Sequence, residues 1–317
     1  MQTTLKQAPR APAMRVRRSL ARPLAFGAAA LALLLVVGYL AFGYLSASQL
    51  TVPGRVVEGV APRVPPVPYE DVRFSSRVDG ISIAGTYMPS AGAMRAVIVI
   101  HGQNNNRKQE FDGRFVDMAM DIQKAGFALL MIDLRGHGES GEGRITFGQL
   151  ERRDVLGAVD YLKSRGFQPG RIGVLGVSLG GASATGAAAV EPAIGALATD
   201  SMFADFVWVL QTRWQPNTGY PDFLMYGTLF MSRFVTGANL MDASPKNEIG
   251  KVQPRPILIM QGTEDDAVLS HHWAALRAAA PSAEFWEVAG AKHARIYNVA
   301  REEYVRRVVA TFTKMPK

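Results

Sequence analysis

Gly173-Val174-Leu175-Gly176-Val177-Ser178-Leu179-Gly180-Gly181 is the stretch from which the rest of the chain can be read. Arg171 to Val177 is an apolar run that predicts a buried strand, Ser178 a one-residue turn, and the residues after it a helix that starts at once. Gly176, Ser178 and Gly180 fit G-x-S-x-G, a pattern in which a sharp strand-to-helix turn leaves a serine Oγ standing clear. Glycine on both flanks lets strand and helix pass closely. The free N–H groups at the helix start suit a developing negative charge. The pattern alone is expected roughly 0.15 times by chance in such a chain. Its context decides: an apolar strand before it, and Gly181, Ala182, Ala184 and Gly186 after it, where a helix would pack tightly on a sheet.

Composition narrows the classes. The 317 residues are ample for one large α/β domain, and 48% hydrophobic content supports a real core. With no cysteine, disulfides and thiolate metal sites are excluded. Of the net charge of +8, six come from Lys6, Arg10, Arg15, Arg17, Arg18 and Arg22 in residues 1–23, which hold no acid. The remainder is near neutral, so nucleic acid is not an indicated partner.

Leu24 to Leu45 carries no charge over 22 residues, close to the about 20 needed to cross a bilayer. Tyr39 and Tyr44 lie near its far end, where amphipathic rings favour the interface. The preceding arginines place the N-terminus in the cytoplasm and the bulk of the chain on the periplasmic or extracellular side. This predicts a retained signal anchor at 24–45 behind a basic segment at 1–23. A secreted form, cleaved near Ser46-Ala47-Ser48, is the alternative, although secretory apolar regions are usually shorter, about 7–15 residues. Arg17-Arg18 is a weak match to a twin-arginine signal. Residues 46–68, with Pro53, Pro62, Pro65, Pro66 and Pro68, read as an extended linker.

From Tyr69 the pattern becomes β. Val72 to Tyr87 predicts two antiparallel strands turning near Asp79-Gly80. Further strands are expected at Ala96–Ile100, Phe127–Ile132, Ile194–Thr199, Ile257–Met260 and Glu284–Val288. Helices are expected at Phe111–Ala125, Leu150–Arg165, from Ser178 to about Val190, at Ser270–Ala280 and at Ile296–Thr313. This alternation implies a mainly parallel sheet in an α/β fold. Residues 203–250 break the rhythm with nine aromatics, from Phe203 to Phe234. An insertion there, on the carboxyl edge of the sheet, would form a small helical cap over a site.

A serine hydroxyl needs a base, a group that orients the base, and donors for an oxyanion. Each follows a strand here, in the order Ser, Asp, His. Asp265 comes after the strand ending at Met260, between Glu264 and Asp266, and its spacing from Gly262 favours it; Asp200 is the other candidate acid. Of the five histidines, His293 sits between the last strand and last helix and is the expected base. His101 reads as a structural residue bonding the loop backbone, His137 as part of a turn-rich loop, and His271 and His272 as surface residues. The oxyanion donors are expected to be the backbone N–H groups of Leu179 and Gln103. Asn104 to Lys108 reads either as part of that loop or as plain polar surface.

On His101-Gly102, Asp133-Leu134-Arg135-Gly136-His137-Gly138, Gly176 to Gly180, Gly262 to Asp265 and His293, the sequence resembles the α/β-hydrolase superfamily, near its esterase-like and serine-aminopeptidase-like members. The similarity covers about residues 70–317. It implies an eight-stranded, mostly parallel sheet flanked by helices, with neither cofactor nor metal. Similar members often carry a second glycine soon after His-Gly; this chain has Gln103-Asn104-Asn105-Asn106 instead. The expected function is that of a membrane-anchored serine hydrolase acting on a small-molecule ester or amide through Ser178, His293 and Asp265. An aminopeptidase or acyltransferase of the same fold, or a non-catalytic anchored binding protein, is the alternative. The expected partners are that substrate and, through residues 24–45, a lipid bilayer; the sequence leaves the oligomeric state open.

Overall fold

The computed structural model describes residues 21–316. The basic residues Lys6 to Arg18, including the Arg17-Arg18 pair, lie outside them. Eight strands form one sheet: β1 (Glu70–Ser75), β2 (Ser82–Met88), β3 (Ala96–Ile100), β4 (Ala128–Ile132), β5 (Ile172–Val177), β6 (Ile194–Asp200), β7 (Ile257–Gly262) and β8 (Glu284–Val288). Their spatial order is β1-β2-β4-β3-β5-β6-β7-β8. The first hairpin is antiparallel and β2 joins β4 antiparallel, while every other pairing is parallel.

The apolar runs explain the layering. Successive side chains on a strand point to opposite faces, and a parallel sheet is covered on both. Ala96, Ile98 and Ile100 of β3 accordingly pack into one core, and Val97 and Val99 into the other. The first core is completed by α3 (Arg152–Ser164), α4 (Leu179–Ala188) and α7 (Ser270–Ala279). The second is completed by α2 (Phe115–Gln123), α8 (Ile296–Val299) and α9 (Arg301–Thr313). Ile100 pairs with both Ile132 and Gly176, and Asp200 with Val177 and Met260, so the carboxyl ends of the central strands finish flush. Every candidate catalytic side chain emerges from that edge.

Helix ends differ from the sequence reading for local reasons. The helix expected from Phe111 begins at Phe115, because Phe111, Asp112 and Gly113 all take left-handed backbone, with φ of 55°, 57° and 82°. The last helix is two, broken at Ala300, where φ −134° and ψ 52° are not helical. The cap is a hairpin of α5 (Phe206–Thr218) and α6 (Asp222–Thr236), followed by short 3₁₀ turns at Leu240–Asp242, Pro245–Asn247 and Ile249–Val252.

The N-terminal helix α1 (Ala21–Leu50) continues five residues past Leu45. That extra turn is docked: Ala47 and Thr51 are buried, and Arg144 donates to the Ser48 carbonyl at 2.7 Å. Residues 51–68 form neither helix nor strand, with a turn at Glu58–Gly59, and from Thr51 to Arg63 they are bonded to the domain and are not a free tether. Arg55 donates to the carbonyls of Gly138 and Ser140, Gln109 binds both backbone groups of Val57, and Arg63 donates its N–H to the Lys108 carbonyl.

The crossing of β5 and α4 sets a severe steric demand beside Ser178. A Cβ at Gly176 would lie 2.2 Å from the Gly180 carbonyl oxygen, and one at Gly180 would lie 2.5 Å from that of His101. Neither backbone neighbour can yield. Gly176→Ala is therefore expected to destabilise the fold by at least about 2 kcal/mol, or roughly 4–8 °C in Tm. A thermal melt indistinguishable from wild type would show that strand and helix do not approach this closely.

Candidate active site

Ser178 occupies the turn between β5 and α4 with φ 49° and ψ −110°. Such backbone costs about 1–3 kcal/mol and persists only where its surroundings enforce it. Here the Ser178 N–H donates to the Asp200 carbonyl at 2.8 Å, and its own carbonyl accepts from Ala182 in the first turn of α4. The side chain stands half-buried at the edge of the sheet.

His293 lies 115 residues further along and meets it there: His293 Nε2 and Ser178 Oγ are 3.0 Å apart. The loop that carries His293 is pinned to the loop after β7. Gly290 donates to Thr263 Oγ1, Thr263 to the Val288 carbonyl and Glu264 to the Ala291 carbonyl. His293 Nδ1 is 2.8 Å and 3.1 Å from the two carboxylate oxygens of Asp265. Asp265 also accepts from Ala267 N–H, Val268 N–H and Gln261 Nε2. Glu264 and Asp266, its sequence neighbours, are exposed.

With Nδ1 donating to Asp265, Nε2 is free to accept the serine proton. Burial opposes a charge on this ring. The hydrogen bond to Asp265 and the negative fields of Asp265, Asp200 and Glu110 outweigh it, and His293 is held above the ordinary imidazole value. Asp200, the other candidate acid, makes no hydrogen bond to His293. It is fully buried at the end of β6, and its carboxylate accepts from Ser201 Oγ; burial pushes it up to about 7 against that bond.

Gln103 and Leu179, the expected oxyanion donors, both line the cleft with Ser178 and His293. A Cβ at Gly102 would lie 3.6 Å from that of Ser178, so the His101–Gln103 turn runs directly beside the serine. Five hydrogen bonds hold that turn. Glu110 accepts from Gly102 N–H at 2.6 Å. His101 accepts from Leu134 N–H on Nε2 and donates from Nδ1 to the Gly102 carbonyl. His137 Nε2 accepts from Asn104 N–H, and Asn104 Oδ1 accepts from Gly54 N–H. Where similar sequences carry a second glycine, Asn104 takes φ 54°, a left-handed conformation that asparagine tolerates.

Several side chains depart from the sequence reading. His272 is buried, with Nδ1 accepting from Ala204 N–H at the base of the cap. Asn106 and Arg107 are buried too, and Arg107 is paired with Asp133 and Glu139. Glu110 carries no pattern in Arg107-Lys108-Gln109-Glu110-Phe111-Asp112 that separates it from a surface acid, yet it is fully buried beneath the serine's neighbouring turn.

The cleft above these residues encloses about 500 Å³. Phe147, Phe203, Phe206, Val209, Leu210 and Val268 form its apolar lining, and Arg213 and Arg295, both half-buried, its cations. The aromatics of the cap divide accordingly: Phe203 and Phe206 face the cleft, Trp214 is buried, and Tyr220, Phe223, Tyr226, Phe230 and Phe234 are exposed elsewhere. Among the described residues no group of three or more His, Cys, Asp or Glu side chains could hold a metal.

Comparison with known proteins agrees with this architecture. Residues 97–308 match the model of the Alpha/beta hydrolase family. The chain is 28% identical over 211 residues to the protein YfhR of Salmonella typhimurium, covering 64% of this chain and 66% of that one. It is 31% identical over 128 residues to the thiohydrolase aneE of Aspergillus aculeatus, covering 39% of this chain and 38% of that one. The match to YfhR thus spans just under two thirds of the relative's own length. Among solved structures, the Pyrococcus furiosus esterase Pf2001 superposes with a TM-score of 0.65 at 23% identity, covering 84% of this chain and 98% of that one. Est1E of Butyrivibrio proteoclasticus, solved with ferulic acid, gives 0.60 at 20% identity over 77% of this chain and 98% of that one. A family match across two thirds of the sequence, on a sheet with this strand order, makes the chain a member of the alpha/beta hydrolase family.

Proposed function

We propose that the protein is a membrane-anchored serine hydrolase that cleaves a carboxylic ester through an acyl-enzyme. The observation that carries this reading is the unbroken hydrogen-bonded line from Ser178 Oγ through the His293 ring to Asp265 at the floor of the cleft. In the first step the Ser178 oxygen bonds to the substrate carbonyl carbon as its proton passes to His293 Nε2. Asp265 keeps the ring in the needed tautomer and stabilises the imidazolium. The N–H groups of Leu179 and Gln103 are assigned to the carbonyl oxygen as it becomes an oxyanion. Collapse breaks the ester C–O bond, and His293 returns the proton to the departing alcohol. Water, deprotonated by His293, then cleaves the acyl-serine bond and restores the hydroxyl.

The charges around the cleft favour this over an aminopeptidase. An aminopeptidase needs a free carboxylate for the substrate ammonium. Asp205 caps α5 and is paired with Lys246, and Asp222 does not line the cleft. The one lining acid among the described residues, Glu110, accepts from Gly102 and Phe111 N–H groups, and the lining cations Arg213 and Arg295 are held against Asp266 and Asp112. An esterase and a thiohydrolase among the similar proteins also point to acyl esters.

The anchor is assigned to Leu24–Leu45 within α1, whose most apolar stretch has no buried residue. Retention is favoured over cleavage because Gly43 and Ala47 are buried against the rest of the chain. The preceding arginines set the N-terminus inside and the catalytic domain outside the cytoplasm.

Ser178→Ala is expected to abolish labelling by a fluorophosphonate probe and to lower kcat on p-nitrophenyl butyrate by about 10⁴-fold or more. Labelling that persists in this variant would remove Ser178 from the role. His293 must be neutral to act as the base, so activity should fall as pH drops through its raised pKa. An NMR titration is expected to find that midpoint above the ordinary value of about 6.5. In Asp265→Asn the attractive partner is lost and burial remains, so the midpoint should fall below that value, with kcat reduced about 10³- to 10⁴-fold. An unchanged midpoint in the variant would separate Asp265 from His293.

A further inference from the structure

The face of α6 that points away from the cleft is the least expected surface of the domain. Phe223, Tyr226, Phe230 and Phe234 fall at i, i+3, i+7 and i+11 and are 60%, 50%, 45% and 62% exposed. That is one helical stripe of rings, met at its first ring by Tyr39 of α1 and otherwise exposed. The opposite face of the helix, with Met225, Thr228, Leu229 and Ser232, is buried. Between Arg213 and Arg233, Asp222 is the only charged residue among nineteen, where the chain's 20% charged content would give about four.

This helix is also the one against which α1 packs. Tyr39 donates its hydroxyl proton to the Phe223 carbonyl at 2.9 Å and stacks on the Phe223 ring. A Cβ at Gly43 would lie 2.5 Å from the Gly227 carbonyl oxygen, and one at Gly227 would lie 2.7 Å from the Tyr39 ring. Two small residues thus let the backbones touch, as between helices in lipid. The pairs Tyr39–Phe223 and Gly43–Gly227 advance together by four residues, so α6 runs in the same direction as α1. The turn that joins α5 to α6, Gly219 to Pro221, therefore points back toward the apolar length of α1. Twenty residues from Leu24, about 30 Å of helix, end at Gly43. The tip of the hairpin consequently lies at the level where the hydrocarbon layer would end, and its exposed rings continue the exposed apolar surface of α1.

We propose that the α5–α6 hairpin is itself seated in a phospholipid bilayer, its aromatic stripe in the acyl-chain and headgroup layer of the leaflet next to the catalytic domain. The inference rests on the reading of α1 as membrane-spanning and adds a second, cap-borne membrane contact to it. Amphipathic rings favour that layer. The surface is continuous with α1, and the only charges on α6, Asp222 in its first turn and Arg233 in its last, lie at its two ends, which fits lipid.

Because the chain has no cysteine, single substitutions can each carry one nitroxide label. The full chain would be placed in phosphatidylcholine nanodiscs with a label at Phe223→Cys, Phe230→Cys, Leu34→Cys or Val190→Cys. Leu34 lies in the apolar run, and Val190 is 59% exposed beyond the far end of α4. Power-saturation spectra would compare accessibility to oxygen and to a water-soluble nickel chelate. The expected oxygen-to-nickel ratio at 223 and 230 is at least about threefold that at 190 and on the side of 34, with 223 deeper than 230. Tyr226→Cys reads the same face if one of these variants fails to fold. Ratios at 223 and 230 equal to that at 190, with 34 in lipid, overturn the cap contact and leave the anchor standing. A label at 34 that reports water overturns both. Labels at 223 and 230 shielded from both reagents, with 34 in lipid, overturn the proposal in favour of a contact between copies of the chain.

Discussion

The structure turns on a backbone that only a crossing of glycines permits. Ser178 holds φ 49° because β5 reverses into α4 within one residue, and that reversal needs Gly176 and Gly180 to lie in van der Waals contact with backbone oxygen. The strained conformation is what lifts the hydroxyl out of the sheet edge. It is stabilised by ordinary means: a hydrogen bond from Ser178 N–H to the end of β6, and a helix that starts at the next residue. Against a net stability of about 5–15 kcal/mol for a typical domain, a cost of about 1–3 kcal/mol is supportable only because the surrounding sheet is buried on both faces.

Around that serine the acids are treated unequally, and the inequality assigns their parts. Asp265 receives donors from two backbone groups, one amide side chain and the imidazole, so its charge is stabilised where it stands. Asp200 and Glu110 are buried with fewer donors, and burial pushes both carboxyl groups up. They act at a distance, adding to the field on His293. Further out, Arg107 with Asp133 and Arg135 with Asp154 are buried ion pairs that fix the loop after β4. Such pairs add little net stability against apolar replacements, but losing one partner leaves an uncompensated charge. Their effect here is positional: they hold the loop whose His137 and Leu134 backbone anchor the turn beside Ser178.

What the sequence disclosed follows from how local each cause is. The strand Ala96–Ile100 was legible to the residue, because a strand buried on both faces must be apolar throughout; the edge strand Glu284–Val288, only half-buried, was legible from its alternating pattern and position near the end of the chain. Ser178, Asp265 and His293 were legible because each follows a strand in a recognisable order, and the structure brings the three side chains into contact. Glu110 and His272 were not, since their burial is decided by partners that no local pattern marks: the Gly102 N–H eight residues before Glu110, and the Ala204 backbone 68 residues before His272. The prolines of 51–68 agree with a segment free of helix and strand. They carried no information about the partners, Gln109 and Lys108, that bind it. The exposed stripe of α6 had the periodicity of a packed helix, and sequence alone does not say whether the layer it meets is protein.

That segment and α1 together change how the N-terminal helix is understood. A tether joined by a free linker would leave the domain indifferent to its anchor. Here Leu50, at the end of α1, lines the same cleft as Ser178 and His293. The chain after it is bonded to the residues that support the serine's neighbouring turn: Gly54 to Asn104, Arg55 to the Gly138 and Ser140 carbonyls, and Val57 to Gln109. From Gly43, where α1 meets α6, to Leu50 is seven residues, about 10 Å of helix. One rigid element therefore connects the cap, the rim of the cleft and the apolar span. The orientation of the cleft relative to that span is set by backbone hydrogen bonds and close helix packing, with no flexible joint between them.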